Sequence, residues 1–176
     1  DPALLLTLGA GDIDALVQPL KDVLFGNYKV RVRAKLEQWE RDFPHLQFLK
    51  DEPMARHTWL KIGGPADIFF RPRNHAEILD VVEYAIQHEI PFSLLGNGSN
   101  LLVSDKGIRG IVIAMGEAES YMHQQGDLFR VSASYSLPKF VLETLKLGYE
   151  GLESTAGIPC TVGGATRMNA GAYGTE

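Results

Sequence analysis

The stretch Leu94-Leu95-Gly96-Asn97-Gly98-Ser99-Asn100-Leu101-Leu102-Val103 constrains this chain more than any other. Ile90 to Leu95 is an apolar run that reads as a short buried strand. It stops at Gly96, and Gly-Asn-Gly-Ser-Asn intervenes before the chain turns apolar again. Glycine admits positive φ and lets a ligand approach the main chain. A row of free backbone N–H groups in such a turn makes an anion-sized nest, and Ser99 and Asn100 add side-chain donors. One reading is therefore a diphosphate-binding loop. The other is a plain two-residue hairpin turn, which Asn-Gly between apolar runs also signals. The stretch is not a Walker loop, since no Gly-Lys-Ser/Thr follows, and Leu101 stands where the third glycine of a Rossmann fingerprint belongs. Asn97-Gly98-Ser99 matches a glycosylation sequon, which matters only in a secreted protein.

The 176 residues are 45% hydrophobic and 22% charged, enough for one or two small cores. A net charge of −5 with no basic run argues against a nucleic-acid partner. A local nest of N–H groups still admits an anionic cofactor. The single cysteine, Cys160, argues against disulfides and cysteine-rich metal sites, and the five histidines are scattered. No signal peptide or membrane-spanning run is expected, so the expected location is cytoplasmic.

Leu4 to Leu8 reads as a strand, and Asp12 as the cap of a helix through Leu24 that Pro19 kinks. A domain boundary is placed near Gly26. Tyr28 to Phe43 reads as an amphipathic helix ended by Pro44. Leu60 and Ile62 alternate with polar neighbours as in a half-buried strand, and Gly63-Gly64-Pro65 forces a turn. Ile68 to Phe70 is a second short strand. Asn74 with Glu77 fits a capping box, opening a helix with Ile78, Val81, Val82, Ala85 and Ile86 on one face. That helix leads into the strand before Gly96 as a β-α-β unit. Ile108 to Ala114 and Leu128 to Ala133 are further strands. Ser136 caps a helix through Leu147, stopped by Gly148. Gly151 to Glu176 is glycine-rich, but its interspersed Ile158, Val162, Met168 and Tyr173 argue for an ordered functional segment and against a loose tail.

Four blocks stand in order: His57-Thr58-Trp59-Leu60-Lys61-Ile62-Gly63-Gly64-Pro65-Ala66-Asp67; Leu95 to Asp105; Gly107-Ile108-Arg109-Gly110; and Gly151 to Ala165, followed by Met168-Asn169-Ala170-Gly171-Ala172-Tyr173-Gly174. From about Phe48 onward they closely resemble the UDP-N-acetylenolpyruvoylglucosamine reductases (UDP-N-acetylmuramate dehydrogenases) of bacterial cell-wall synthesis. The resemblance implies an α+β fold of the vanillyl-alcohol-oxidase (p-cresol methylhydroxylase) type, two small α+β subdomains with non-covalent FAD between them. It implies NADPH as hydride donor and a nucleotide-sugar enolpyruvyl ether as substrate. It matches Leu95, Gly96, Asn97, Gly98, Ser99, Asn100 and Leu101 to the pyrophosphate loop. Ile62, Gly63 and Gly64 match a segment near the adenine and phosphate end. Gly157, Ile158, Pro159, Thr161, Val162, Gly163 and Gly164 match the flavin-lining segment, and Asn169, Gly171 and Ala172 the block beside it.

Cys160 stands where these reductases usually carry glycine, so strain is expected there if the backbone needs positive φ. Trp59 replaces a more usual Thr or Phe. The family's catalytic arginine, proton-donating serine and late glutamate fall beyond residue 176, so the chain by itself is expected not to complete the reaction. Leu5 to Ile13 weakly resembles the C-terminal tail of UDP-N-acetylmuramate–L-alanine ligase, another enzyme of the same pathway. The expected organisation is a ligase tail at 1–26, a linking helix at 27–47 and an FAD-binding domain at 48–176. Two other readings are a different FAD oxidoreductase of the same fold and a non-catalytic module that kept the fold.

Overall fold

The computed structural model describes residues 34–172, apart from Leu36. The expected strand at Leu4–Leu8, the helix after Asp12 and the boundary near Gly26 lie outside the described residues. The chain divides into two units, Asp1–Pro44 and His45–Glu176. In the first, the described residues between 34 and 42 are helical (α1). The second carries the rest of the described structure.

A four-stranded sheet organises the second unit, in the order β1-β2-β4-β3. β1 is Phe48–Pro53, β2 Pro65–Phe70, β3 Phe92–Leu95 and β4 Ile108–Ala114. β1 runs antiparallel to β2, with Phe48 opposite Phe70 and Pro53 opposite Pro65. β2 and β3 both run parallel to β4, which lies between them. The β-strand residues Gly110 to Ala114 are all buried, as suits a β-branched run covered on both faces. Met54, Ala66, Phe69, Leu95, Val103, Val112 and Ala114 form one apolar cluster. The register slips between Ala66 and Ile68, leaving an extra residue on β4. Gly110 takes φ +86° there, and the Asp67 carboxylate accepts from the Gly110 N–H (2.9 Å) and pairs with Arg109.

Helix α2, His75–Gln87, leads from β2 to β3. Asn74 caps it by accepting from the Glu77 N–H (3.0 Å). The reciprocal arm of the expected capping box lands one residue earlier, because the Glu77 carboxylate accepts from the Arg73 N–H (2.8 Å) and guanidinium. Ile78, Val81 and Ala85 are buried as expected, but Ile86 is exposed and Tyr84 is buried in its stead. The expected β-α-β unit is therefore split, with β4 inserted between its strands.

β5 (Met122–Gln125) and β6 (Leu128–Val131) form a hairpin across Gly126-Asp127, with Gly126 at φ +60°. The sequence had shown only its second strand. Ser136 caps helix α3, Leu137–Lys146, and Gly148 follows at φ +85°. A 3-10 turn, Glu153–Thr155, leads to helix α4, Val162–Met168, capped by Thr161. Leu137, Val141 and Cys160 form a second apolar cluster, joined by Phe140, Ala156, Ile158, Val162 and Ala165.

Three further expectations are corrected. Residues 59–62 are a turn, not a strand: Lys61 sits at φ +56°, Thr58 Oγ1 donates to Ile62 O (2.8 Å), and Leu60 and Ile62 are exposed. β3 is not a buried strand but lies at one end of the strand order, with Ser93 and Leu94 exposed. Cys160 carries no positive φ, and its side chain fills the second apolar cluster, where burial raises its thiol pKa. The expected strain at that position does not arise.

Candidate functional site: a glycine loop at the strand ends

Parallel neighbours such as β3 and β4 need a long crossover, commonly a helix. Here residues 96–107 make it as irregular chain. That geometry rules out the hairpin turn, because the strand following the loop pairs parallel with the strand preceding it. Gly98 takes φ +64°, and a Cβ there would lie 1.9 Å from His57 O. The loop is thus clamped against the β1–β2 connection, and the Trp59 N–H donates to Gly98 O (3.1 Å).

The loop's donors are left over. Among the described residues, none of the backbone N–H groups from Asn97 to Val103 donates to a protein acceptor. The side chains of Asn97, Ser99 and Asn100 are likewise without a hydrogen bond there. Gly98 and Val103 are buried residues. Buried backbone donors are nearly always satisfied, so those of Gly98 and Val103 call for a partner, and with the more exposed amides between and beside them they form a ready receptor for an anion with several oxygens.

A cavity of about 290 Å³ opens beside it. Leu95 and Ala114, paired at the carboxyl ends of β3 and β4, line it with Gly96, Asn97 and Gly116. Ligands of open parallel sheets bind outside the strands' carboxyl ends. A Cβ on Gly116 would lie 3.1 Å from both Gly96 O and Asn97 Oδ1, so glycine keeps the floor open. The other wall comes from Arg56, His57, Trp59 and Lys61 of the β1–β2 connection, with Phe69 of β2. The His57 ring stacks on Phe69 at 4.0 Å, and its Nε2 lies 2.9 Å from Glu52 Oε1. Burial would raise the Glu52 carboxyl, but the His57 hydrogen bond and the Arg56 charge outweigh it and hold the pKa below the ordinary value. Glu117, exposed at the rim, pairs with Arg71 (3.4 Å).

The flavin-lining segment named from the sequence reaches the same place through Thr161. A Cβ on Gly96 would lie 2.9 Å from Thr161 Oγ1, which itself accepts from the Gly164 N–H (3.1 Å). Gly163 packs on Ala133, where a Cβ would meet the Ala133 Cβ at 2.7 Å. Ile158 and Val162 point into the second apolar cluster. Gly157 and Pro159 are exposed, and a Cβ on Gly157 would touch nothing within 4 Å. Asn169 is the left-handed cap of α4 (φ 47°), with Gly171 exposed and Ala172 half-buried after it.

Leu95, Gly96 and Asn97 line the cavity, while Ser99, Asn100 and Leu101 continue the loop. Gly63 and Gly64 do not line it. A Cβ on Gly63 would meet Val103 Cβ at 2.8 Å, and one on Gly64 would meet Asp105 O at 2.0 Å. Their visible work is to let the β1–β2 connection lie against the far end of the loop, where the Gly64 N–H donates to Ser104 O (2.9 Å). Ile62 is exposed, with its carbonyl held by Thr58. Sequence reasoning missed Arg56, His57, Trp59, Lys61, Phe69, Gly116 and Glu117. His57 to Lys61 lay in a quoted block, and Gly116 followed a recognised strand, but nothing local marked either as cavity wall.

Residues 66–176 match the model of a family described as FAD binding domain. A UDP-N-acetylenolpyruvoylglucosamine reductase of Bacillus velezensis is 44% identical over 128 residues, covering 73% of this chain and 42% of that protein. One of Rubrobacter xylanophilus is 44% identical over 137 residues, covering 78% of this chain and 46% of that protein. The crystal structure of the UDP-N-acetylenolpyruvylglucosamine reductase from Thermus caldophilus superposes with a TM-score of 0.55 at 34% identity, over 73% of this chain and 44% of that one. The chain thus spans less than half the length of these relatives. The match to the family model and the open glycine loop within it agree: this chain belongs to the FAD binding domain family.

Proposed function

We propose that this chain is the FAD-holding part of a UDP-N-acetylenolpyruvoylglucosamine reductase, an enzyme of peptidoglycan synthesis. The observation that carries the FAD part is the unsatisfied row of N–H donors from Asn97 to Val103 beside a cavity. Those amides, with Ser99 and Asn100, hold the diphosphate; Gly96 and Gly116 keep the cavity floor open to it. Thr161 and the turn before α4 lie against Gly96 and bring the segment Gly157–Gly164 toward the flavin. Ile62, Gly63 and Gly64 support the loop from behind. Asn169, Gly171 and Ala172 hold the turn that follows α4.

When bound, FAD supplies the hydride chemistry, accepting from NADPH and donating to the enolpyruvyl ether. The reading places the protein in the cytoplasm, with a nucleotide-sugar substrate and neither nucleic acid nor membrane as partner. Among the described residues no helix is long and apolar enough to cross a membrane. The organisation at 1–26, 27–47 and 48–176, with a ligase domain preceding the first segment, belongs to the same proposal and rests on sequence. The test is turnover by the longer parent protein. NADPH consumption that requires both FAD and UDP-N-acetylglucosamine enolpyruvate supports the reading. A flavin-loaded parent that reduces other acceptors but not this one refutes the reductase assignment.

A further inference from the structure

The His57 ring forms part of the cavity wall and is backed by Glu52, yet the diphosphate loop does not use it. Glu52 is buried in β1, and Arg56 lies 3.5 Å from its second oxygen. A carboxylate can only accept, so the His57 Nε2 carries the proton in their 2.9 Å bond. Nδ1 makes no hydrogen bond to any described residue. The ring cannot readily turn away, since it is stacked on Phe69 with its side chain only 13% exposed.

We propose that His57 contacts the diphosphate of FAD and takes up a proton when the cofactor binds, with Glu52 as its positioning residue. This rests on the FAD reading above. With Nε2 committed to Glu52, an unprotonated His57 has only a lone pair left at Nδ1, which repels a phosphate oxygen. Protonation turns that atom into a donor. The charged groups around the imidazole are Glu52 from β1, which it touches; Arg56 and Lys61 of its own turn and Glu117, which line the same cavity; and Arg71, which pairs with Glu117 and lies over the Phe69 ring on which the imidazole stacks. An incoming diphosphate brings negative charge against the ring and favours the imidazolium. By linkage, whatever raises the proton affinity of His57 on binding also tightens binding as pH falls.

The experiment is FAD titration of the whole chain, followed by flavin fluorescence and by calorimetry in two buffers of different ionisation heat. The diphosphate itself does not titrate near neutrality. FAD affinity is expected to rise about 5- to 10-fold from about pH 8 to about pH 6, with net proton uptake. ADP-ribose, a diphosphate diester that likewise carries no group titrating near neutrality, should show the same trend as a second probe. His57→Gln should flatten the profile, and Glu52→Gln should move it to lower pH, with thermal melting checking that each variant folds. Calorimetry on the unmodified chain decides the matter even where a variant fails to fold. FAD binding with no proton uptake, or with proton release, overturns the inference and leaves the FAD reading standing. A folded chain that does not bind FAD overturns the FAD reading itself.

Discussion

At the scale of single residues, the glycines of this chain separate into two kinds. Gly98 is required by the fold, since it combines φ +64° with a Cβ position 1.9 Å from His57 O. Gly98→Ala should therefore lose about 2 kcal/mol or more in denaturant unfolding, from left-handed strain plus displacement of the β1–β2 connection. Gly157 is the opposite case, with open space around its Cβ position and no positive φ. Gly157→Ala should change stability by less than about 0.5 kcal/mol, so a loss of FAD affinity in that variant would report contact with the cofactor alone. Cys160 reverses the sequence expectation. Its side chain fills an apolar cluster, so Cys160→Gly should destabilise by about 1–2 kcal/mol, through a small cavity and a more flexible unfolded chain. A thermal melt compares the two directly, and a stabilised glycine variant would contradict the assignment.

At the scale of elements, the sheet depends on polar locks placed at its irregularities. Asp67 spans the β2–β4 register slip through Arg109 and the Gly110 N–H. Asp67→Ala leaves the Gly110 N–H without its acceptor and the Arg109 guanidinium with only the Pro65 and Lys106 carbonyls, and should cost about 2 kcal/mol in denaturant unfolding. Glu77 ties the start of α2 to Arg73. Burial works to raise its pKa, but the Arg73 hydrogen bonds and charge outweigh it, and the net shift is downward. A lowered folded-state pKa means stability that is present above the unfolded value and is lost as pH falls through the folded one. Glu77→Gln should thus be destabilised near neutrality, by about 1–3 kcal/mol, with the gap to the native sequence closing in acid below the ordinary carboxylate range. Stability measured against pH in both proteins checks the convergence.

Elements with strong local signals were legible in the sequence: the β4 run Ile108–Ala114, the Asn74 and Ser136 caps, and the stop at Gly148. What was not legible depended on distant partners. Leu60 and Ile62 alternate like a strand, but the Thr58 hydroxyl and the approach to Gly98 make that segment a turn. The hydrophobic period of α2 marked Ile86 for burial, yet the buried face runs through Tyr84. Of the site, the sequence showed the loop itself. It did not show the opposite wall, because Arg56 to Lys61 face the loop only after β1 and β2 pair and Gly63-Gly64 dock on Val103–Asp105.

At the scale of the whole molecule, the second unit is built so that the chain between two parallel strands stays open. β3 and β4 end side by side, the crossover runs from one end of the sheet to the other without a helix, and its amides find no protein partner among the described residues. The central claim is that these amides, together with the Ser99 and Asn100 side chains, hold the diphosphate of FAD. Its most direct test is FAD binding by the purified chain compared with a Ser99→Ala/Asn100→Ala double variant, which removes donors without touching a glycine, an apolar contact or the backbone turn. The account predicts that the chain retains FAD through removal of excess cofactor, with a perturbed flavin spectrum. It predicts that the double variant folds equally well but binds at least about 10-fold more weakly, as loss of two hydrogen bonds to a charged group implies. A folded chain that retains no FAD, or a double variant that binds it as tightly as the native sequence, would contradict the claim.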